Sequence, residues 1–422
     1  MKLSFEAPRS AGRREAIKKT VALSAASALG FPALLRAQSD AIYLGHLTPR
    51  TGFLGQVGEY GFKGASLAVE EANSAGGVLG RRIGLIAEDS VNPATAVTKA
   101  NKLIERDKVI CLIGEISSAS GLAISEQAQR HRIPFFNTGC NSDALRGSNC
   151  KRYVFHIEGS NTMYTKTIGT WQLQKNLIKG ARWAFLTADY AFGHDLYKVS
   201  SRFLEENGGI ILNNDFVPTN TADYSAYILK LRQLKPDFVY LNLAGVDQTT
   251  FLKQFREYNL PYQLAGGVMD TVPFWAAGLE NLSGHWQSLW YHGISVPSAR
   301  AFSQRFMKKF GHPPENQAWG DYVGVRIVLQ TIAETKSTEP RRMIEYLEKG
   351  AEFDLLKARK GKFRDWDHQL LQEMYVVKVK DKSRSKDQWD IFDVVEAVPG
   401  PGESLELIQP TPQENPCALP AA

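Results

Sequence analysis

Cysteine is scarce in this chain, four in 422 residues, and no Cys or His cluster has the spacing of a metal site, which excludes a metal centre built from a local motif. A phosphate-binding signature is also missing. In the glycine-rich stretch Thr51-Gly52-Phe53-Leu54-Gly55-Gln56-Val57-Gly58 the spacing Gly52, Gly55, Gly58 is not G-x-G-x-x-G, and Lys63 is followed by Gly64 and Ala65 rather than Ser or Thr. What survives is a loop whose backbone can approach another group closely. Ser117, Ser118 and Ser120 lack the G-x-S-x-G elbow, and nothing ties His131, His156 or His194 to a nucleophile. An α/β hydrolase is therefore the least favoured of the functions open to the chain, and no cofactor is called for.

Long apolar runs are absent too. The alanine-rich segment Val21 to Leu35 is interrupted by Pro32 and is too short to span a bilayer. It follows Arg13-Arg14-Glu15-Ala16-Ile17-Lys18 and ends at Leu35-Arg36-Ala37, which reads as a signal peptide cleaved near Ala37. The paired arginines resemble the twin-arginine export motif, although Ala16 stands where a large apolar residue is usual, so the Sec route stays open. Residues 1–37 hold seven basic and two acidic side chains, so removing them lowers the formal charge from +6 to +1. The basic pI belongs to the export signal and gives no reason to expect a nucleic acid partner. An exported chain meets an oxidising compartment, where Cys140 and Cys150, flanking a polar loop, have a short disulfide open to them.

About 385 residues then remain, more than one hydrophobic core usually serves. They alternate short apolar runs with helix-period segments: strands at 42–47, 83–87, 110–114 and 133–136, with helices at 60–75, 92–107 and from Ser120 to Arg130 between them. After a break around His156 to Asn161 the pattern restarts, with strands at 182–187, 209–216, 238–243 and 262–265. Strands apolar on both faces imply parallel sheets covered by helices. The expected fold class is α/β, two doubly wound units in tandem. From Gly284 the pattern changes to a crossover, three helices and a hairpin whose charged turn, Asp381 to Lys386, reads as solvated. The proline-rich segment from Pro399 reads as irregular or disordered.

In open α/β sheets ligands bind beyond the carboxyl ends of the strands. The stretch Ile110 to Ser120 ends a strand in Gly114-Glu115-Ile116-Ser117-Ser118 and enters a helix whose first N–H groups lack intrahelical partners, as a polar or anionic ligand requires. Asp189-Tyr190-Ala191-Phe192-Gly193, Ala244-Gly245-Val246-Asp247 and Gly267-Val268-Met269-Asp270 repeat the arrangement. Such loops converge on one cleft.

Leu47 to Ala65, Val69-Glu70-Glu71-Ala72-Asn73 and Ala75-Gly76-Gly77-Val78-Leu79-Gly80, continued by Asp89 to Pro93, Ile113 to Ser118, Pro134 to Asn141 and Asp189 to Gly193, resemble the signature of type I periplasmic substrate-binding proteins typified by the leucine/isoleucine/valine-binding protein. The resemblance implies two lobes joined by three crossover segments: 38–157 with 286–356, and 158–285 with 357–398, followed by a tail at 399–422. It also implies a periplasmic monomer that does no covalent chemistry, clamps a small molecule in the cleft and delivers it to an ABC permease. A periplasmic ligand-sensing subunit of the same fold is the alternative. By the same resemblance Ser118 hydrogen-bonds a ligand carboxylate, Ile116 contributes backbone beside Ser117, Cys140 and Asn141 form the second ligand loop, and Phe192 covers the ligand with Tyr190. Gln56, Gly245 and Asp270 complete the expected site. Val57 and Ala244 or Gly245 replace aromatic residues of the branched-chain amino acid binders, and Val268 replaces their acidic residue, with Asp270 two positions on. The smaller residues leave room for a bulkier, aromatic or other organic acid.

Overall fold

The computed structural model describes residues 41–419; the expected signal peptide lies outside the described residues. The first lobe is built on the parallel sheet β2-β1-β3-β4-β5, formed by β1 (Ile42–Thr48), β2 (Ile83–Asp89), β3 (Leu112–Gly114), β4 (Phe135–Asn137) and β5 (Val154–His156). Helices α1 (Gly55–Ser74), α2 (Pro93–Asn101) and α3 (Ser118–His131) connect its strands. β3 to β5 are buried throughout and β1 nearly so, which is what an apolar sequence on both faces requires of a central parallel strand.

After α4 (Asn161–Gln174) the second lobe follows: β6 (Arg182–Ala188), α5 (Ala191–Glu206), β7 (Ile210–Val217), α6 (Ser225–Leu234), β8 (Phe238–Asn242), α7 (Gly245–Glu257), β9 (Gln263–Ala265) and α8 (Thr271–Ala277). Its strands form the parallel sheet β7-β6-β8-β9. β10 (His285–Ser288) comes next, then α9 (Pro297–Phe310), α10 (Asn316–Thr335) and α11 (Pro340–Glu348). A short pair, β11 (Lys362–Phe363) with β12 (Leu370–Leu371), precedes β13 (Met374–Val379) and β14 (Phe392–Val398), which join β10 in an antiparallel sheet.

The glycines of the 51–58 stretch act differently from expectation. Helix α1 starts at Gly55, inside what reads as a loop. A Cβ on Gly58 would stand 1.7 Å from the Pro49 carbonyl oxygen, and one on Gly64 would stand 2.0 Å from that of Ala318. These glycines let α1 seat directly on β1's exit and on α10, close packing that any side chain would block.

The stretches expected from the sequence to cross between the lobes are tied together by hydrogen bonds. Gln372 Nε2 donates to the Ile157 carbonyl at 2.6 Å, Gln369 Nε2 to that of Glu158 at 2.9 Å, and Trp290 Nε1 to that of Leu356 at 3.3 Å. Arg146 is fully buried and gathers the hinge: it donates to the carbonyls of Cys140 at 2.9 Å, Ser142 at 3.1 Å and Glu158 at 2.8 Å, and to Gln369 Oε1.

The expected Cys140–Cys150 disulfide does not form. Cys150 is bonded to Cys417, and Cys140 is a buried free thiol. The loop between them folds around Arg146, which turns Cys140 inward against Gly121 of α3 and leaves Cys150 facing the C-terminal segment. That segment is irregular, as its prolines predicted, apart from one helical turn at Leu405–Ile408, but it is held against the body of the protein. From β14 it runs across the hinge, its carbonyls at Pro399, Glu403 and Pro410 held by Arg359 and Arg364 and that at Gln409 by Lys166 of α4, before Asn415 donates to the Asp143 carbonyl in the first lobe. Buried Arg364 and the partly exposed Arg359 and Lys166 supply the partners that a polar, proline-rich stretch cannot make for itself.

Candidate ligand-binding site

The carboxyl ends of the two parallel sheets face one another, and the lobes touch across the gap. Val246 N donates to the Phe53 carbonyl at 3.2 Å, and the rings of Phe53 and Tyr190 meet edge to face at 5.7 Å. Gly245, at φ +56°, packs so tightly that a Cβ would stand 2.1 Å from the Phe53 carbonyl oxygen. Leu54, Val57 and Ile116 of the first lobe form one apolar cluster with Val272 of the second. A cavity of about 410 Å³ flanks it, lined by Gln56, Glu59, Tyr60, Val272, Trp275 and Trp389. A second of about 180 Å³ lies on the other side, among Thr51, Asn92, Ser117, Ser120, Tyr190 and Thr219.

The turn after β3 differs from the expectation that its amides await an anion. Glu115 is buried, sits at φ +67°, and folds its own carboxylate back so that Oε1 accepts from Ile116 N at 3.1 Å and Ser117 N at 2.9 Å. Those two amides are thereby engaged within the chain. Burial pushes the Glu115 carboxyl up to about 7, against the pull of these bonds and of a hydrogen bond from Ser90. The Ser118 hydroxyl accepts from Ser142 N at 3.2 Å, which leaves its proton for another acceptor.

Replacing Glu115 by Gln keeps an acceptor for both amides and removes the ionisable group. A carboxyl raised from 4.5 to about 7 contributes stability that is present below its unfolded value and lost as pH rises through its folded one. The ligand-free Glu115→Gln protein is therefore expected to gain melting temperature over the parent as pH goes from 5 to 8. Calorimetric scans at both pH values check this, and an equal difference at both would show that Glu115 does not titrate in the fold.

Of the other expected residues, Cys140 Sγ lies 3.4 Å from the Ser117 carbonyl, and Asn141 Nδ2 donates to Glu158 Oε1 at 3.1 Å and to the Gly159 carbonyl at 3.2 Å. Burial, with the carboxyl of Asp270 adding to it, holds the Tyr190 phenol above its usual range. Phe192 is buried 5.6 Å from the Tyr190 ring, and its carbonyl accepts from Asn161 Nδ2 at 3.3 Å. Gln56 is exposed at the mouth of the larger cavity. Gly245 serves as a lobe-to-lobe contact.

Sequence reasoning missed two residues that the fold adds. Glu158, at the hinge, accepts from Asn141, Gly159 N at 2.8 Å, the Tyr164 hydroxyl at 2.8 Å and Asn316 Nδ2 at 3.2 Å, and burial pushes it up to about 7. Glu315 caps α10, its Oε1 accepting from Ala318 N at 2.9 Å. The one available signal was Pro313-Pro314-Glu315 just before a helical period. Among the described residues no group of His, Cys, Asp and Glu is arranged to hold a metal, and no helix is long and apolar enough to cross a membrane.

Residues 41–385 match the family model described as periplasmic binding protein. The chain belongs to that family. Leu/Ile/Val-binding protein homolog 7 of Brucella suis biovar 1 is 26% identical to this periplasmic binding protein over 343 residues, 76% of this chain and 83% of its own. A periplasmic binding protein from Burkholderia mallei superposes with a TM-score of 0.82 at 28% identity, covering 90% of this chain and 99% of that one. A solute-binding protein of an ABC transporter from Rhodopseudomonas palustris BisB5, solved with 3,4-dihydroxybenzoic acid, shares the fold at a TM-score of 0.76 and 22% identity, over 85% of this chain and 97% of its own. The type I fold expected from the sequence is thus the fold of this chain, two α/β lobes around a cleft.

Proposed function

We propose that this protein, exported to the periplasm with its leader removed near Ala37, captures a small organic solute between its lobes and hands it to an ABC permease without covalent chemistry. The observation that carries the proposal is the lobe contact itself: loops at the carboxyl edges of two sheets meet over polar and apolar side chains, the arrangement in which a ligand favours the closed state. Residues 38–157 with 286–356, and 158–285 with 357–398, are the two bodies that move. Ser118, Tyr190, Asp270 and Gln56 are the side chains assigned to the ligand, an amino acid or another carboxylate-bearing compound. The room expected of Val57 and Gly245 is taken up by the lobe contact itself, Val57 packing with Val272 and Gly245 against Phe53, so any aromatic body is accommodated beside them. Relatives named for leucine, isoleucine and valine or for amino acids in general support the substrate class.

Mass spectrometry of small molecules released on unfolding freshly purified protein tests the function directly. If none is released and a broad metabolite panel gives no thermal shift with protein refolded free of ligand, solute capture is wrong. Ser118→Ala is expected to weaken binding of a carboxylate ligand roughly tenfold, the worth of one charge-assisted hydrogen bond, with the fold intact by circular dichroism. Unchanged affinity on calorimetry would remove Ser118 from the site.

A further inference from the structure

The C-terminal segment leaves β14 on the second lobe, where Phe392 meets Phe274 of α8 edge to face at 5.6 Å. Its hold at Lys166 is on that side as well. Lys166 belongs to α4, which lies so close to α5 that a Cβ on Gly169 would stand 2.2 Å from the Phe203 ring. From there Nζ donates to the Gln409 carbonyl at 2.9 Å and to Glu414 Oε2 at 2.8 Å. Thr411 N donates to the same Glu414 oxygen at 2.8 Å, which fixes the carboxylate facing Lys166. One residue later the segment changes sides. Asn415 Nδ2 donates to the Asp143 carbonyl at 2.9 Å, and Cys417 is bonded to Cys150, both in the loop between β4 and β5 of the first lobe.

The loop that Asn415 and Cys417 grip also meets the second lobe directly. Asp143 N donates to Asp195 Oδ2 of α5 at 2.6 Å, Thr162 N of α4 to Asp143 Oδ1 at 3.2 Å, and Asn161 N to the Asn141 carbonyl at 2.8 Å. Residues 409–417 therefore bridge a seam between the lobes, with a covalent bond on one side and a lysine on the other. If the lobes part there, the disulfide keeps the segment on the first lobe, so the bonds to Lys166 must break. Without the disulfide the segment can follow Lys166 and those bonds oppose nothing.

We propose that residues 409–417 are a clasp, fixed to the first lobe by Cys150–Cys417 and gripping Lys166 of the second, that biases the ligand-free protein toward the closed arrangement. The clasp rests on the lobe motion of the solute-capture function proposed above and adds its regulation: a larger closed fraction raises the apparent affinity for whatever ligand closes the lobes.

Amide hydrogen exchange at Val246 in ligand-free protein tests this. That amide is bonded to the Phe53 carbonyl of the opposite lobe, a contact the clasp does not touch. Two treatments should act alike: Lys166→Met, and reduction of the parent by dithiothreitol, which leaves two thiols and is itself oxidised to a cyclic disulfide. Each is expected to speed exchange at Val246, and to weaken binding of the co-purified compound roughly tenfold, as a tenfold drop in the binding-competent fraction dictates. Glu414→Gln, a change at an exposed partner of the same lysine, should give a smaller rise in the same direction and decides the matter if Lys166→Met folds poorly. Exchange at Val246 unmoved by reduction would overturn the clasp. So would exchange that rises on reduction but not in the Lys166 or Glu414 variant, which would make the bond a staple local to the first lobe. Absence of any released or bound compound would count against solute capture, whereas exchange at Val246 needs no ligand and decides the clasp by itself.

Discussion

Cys417→Ser should produce the largest loss of stability of any single change outside the core. The Cys150–Cys417 bond spans a sequence separation of 267 residues, and in the chain-entropy account closing a loop of that length removes about 5.6 kcal/mol of disorder from the unfolded ensemble. Because the bond also fastens a segment already held by Arg359, Arg364 and Lys166, losing it leaves that segment to detach without unfolding the lobes. The net cost is therefore expected at about 3 kcal/mol, within the usual range for a native disulfide. Urea unfolding of parent, reduced parent and Cys417→Ser measures it. The reduced parent should match the variant, and dithiothreitol should leave the variant unmoved. A reduced parent that unfolds at the same urea concentration as the oxidised one would mean that the bond does not form.

The largest loss of binding is expected from Gly245→Ala. A Cβ there would stand 2.1 Å from the Phe53 carbonyl oxygen, a backbone atom of the opposite lobe. It would also place a non-glycine residue at φ +56°. These two penalties separate cleanly. The backbone strain is present whether the lobes are apart or together, so it lowers the melting temperature without touching affinity; the clash exists only when they meet, so it raises the free energy of the liganded state alone. Affinity for the co-purified compound should fall on the order of a hundredfold, equal to about 2.7 kcal/mol. Small-angle scattering should show less compaction on adding ligand than in the parent. Equal affinity would mean that the ligand is held without the Phe53–Gly245 contact.

The strands were legible because their residues are apolar on both faces, a pattern set by local sequence. Ser118, Tyr190 and Asp270 are singled out by the sequence because each stands just past such a strand, the edge where α/β sheets bind ligands. Glu115 stood in plain view inside Gly114 to Ser118, yet its partners are backbone amides one and two residues on, which composition does not announce. Glu158 and Glu315 were hidden for another reason. They meet through Asn316, 158 positions from Glu158, and only the crossing of the hinge brings them together. The Cys150–Cys417 pairing failed to show because the path of the C-terminal segment depends on arginines at 359 and 364, while the segment's own residues carry only the signs of a loop.

The folded-back carboxylate of Glu115 bears on how ligands arrive. A bare helix terminus attracts anions from solution, but here the chain supplies its own anion at that terminus and keeps more acid at Asp270, Glu158 and Glu315 behind it. Glu115 and Glu158, both held up to about 7 by burial, carry more of that charge as pH rises, so the cleft turns more negative with pH, which speeds the encounter of cations and slows that of anions, an effect that fades as salt shortens its reach. Selection between metabolites of opposite charge thus begins in the association rate, before any contact with the walls, and is strongest in dilute surroundings.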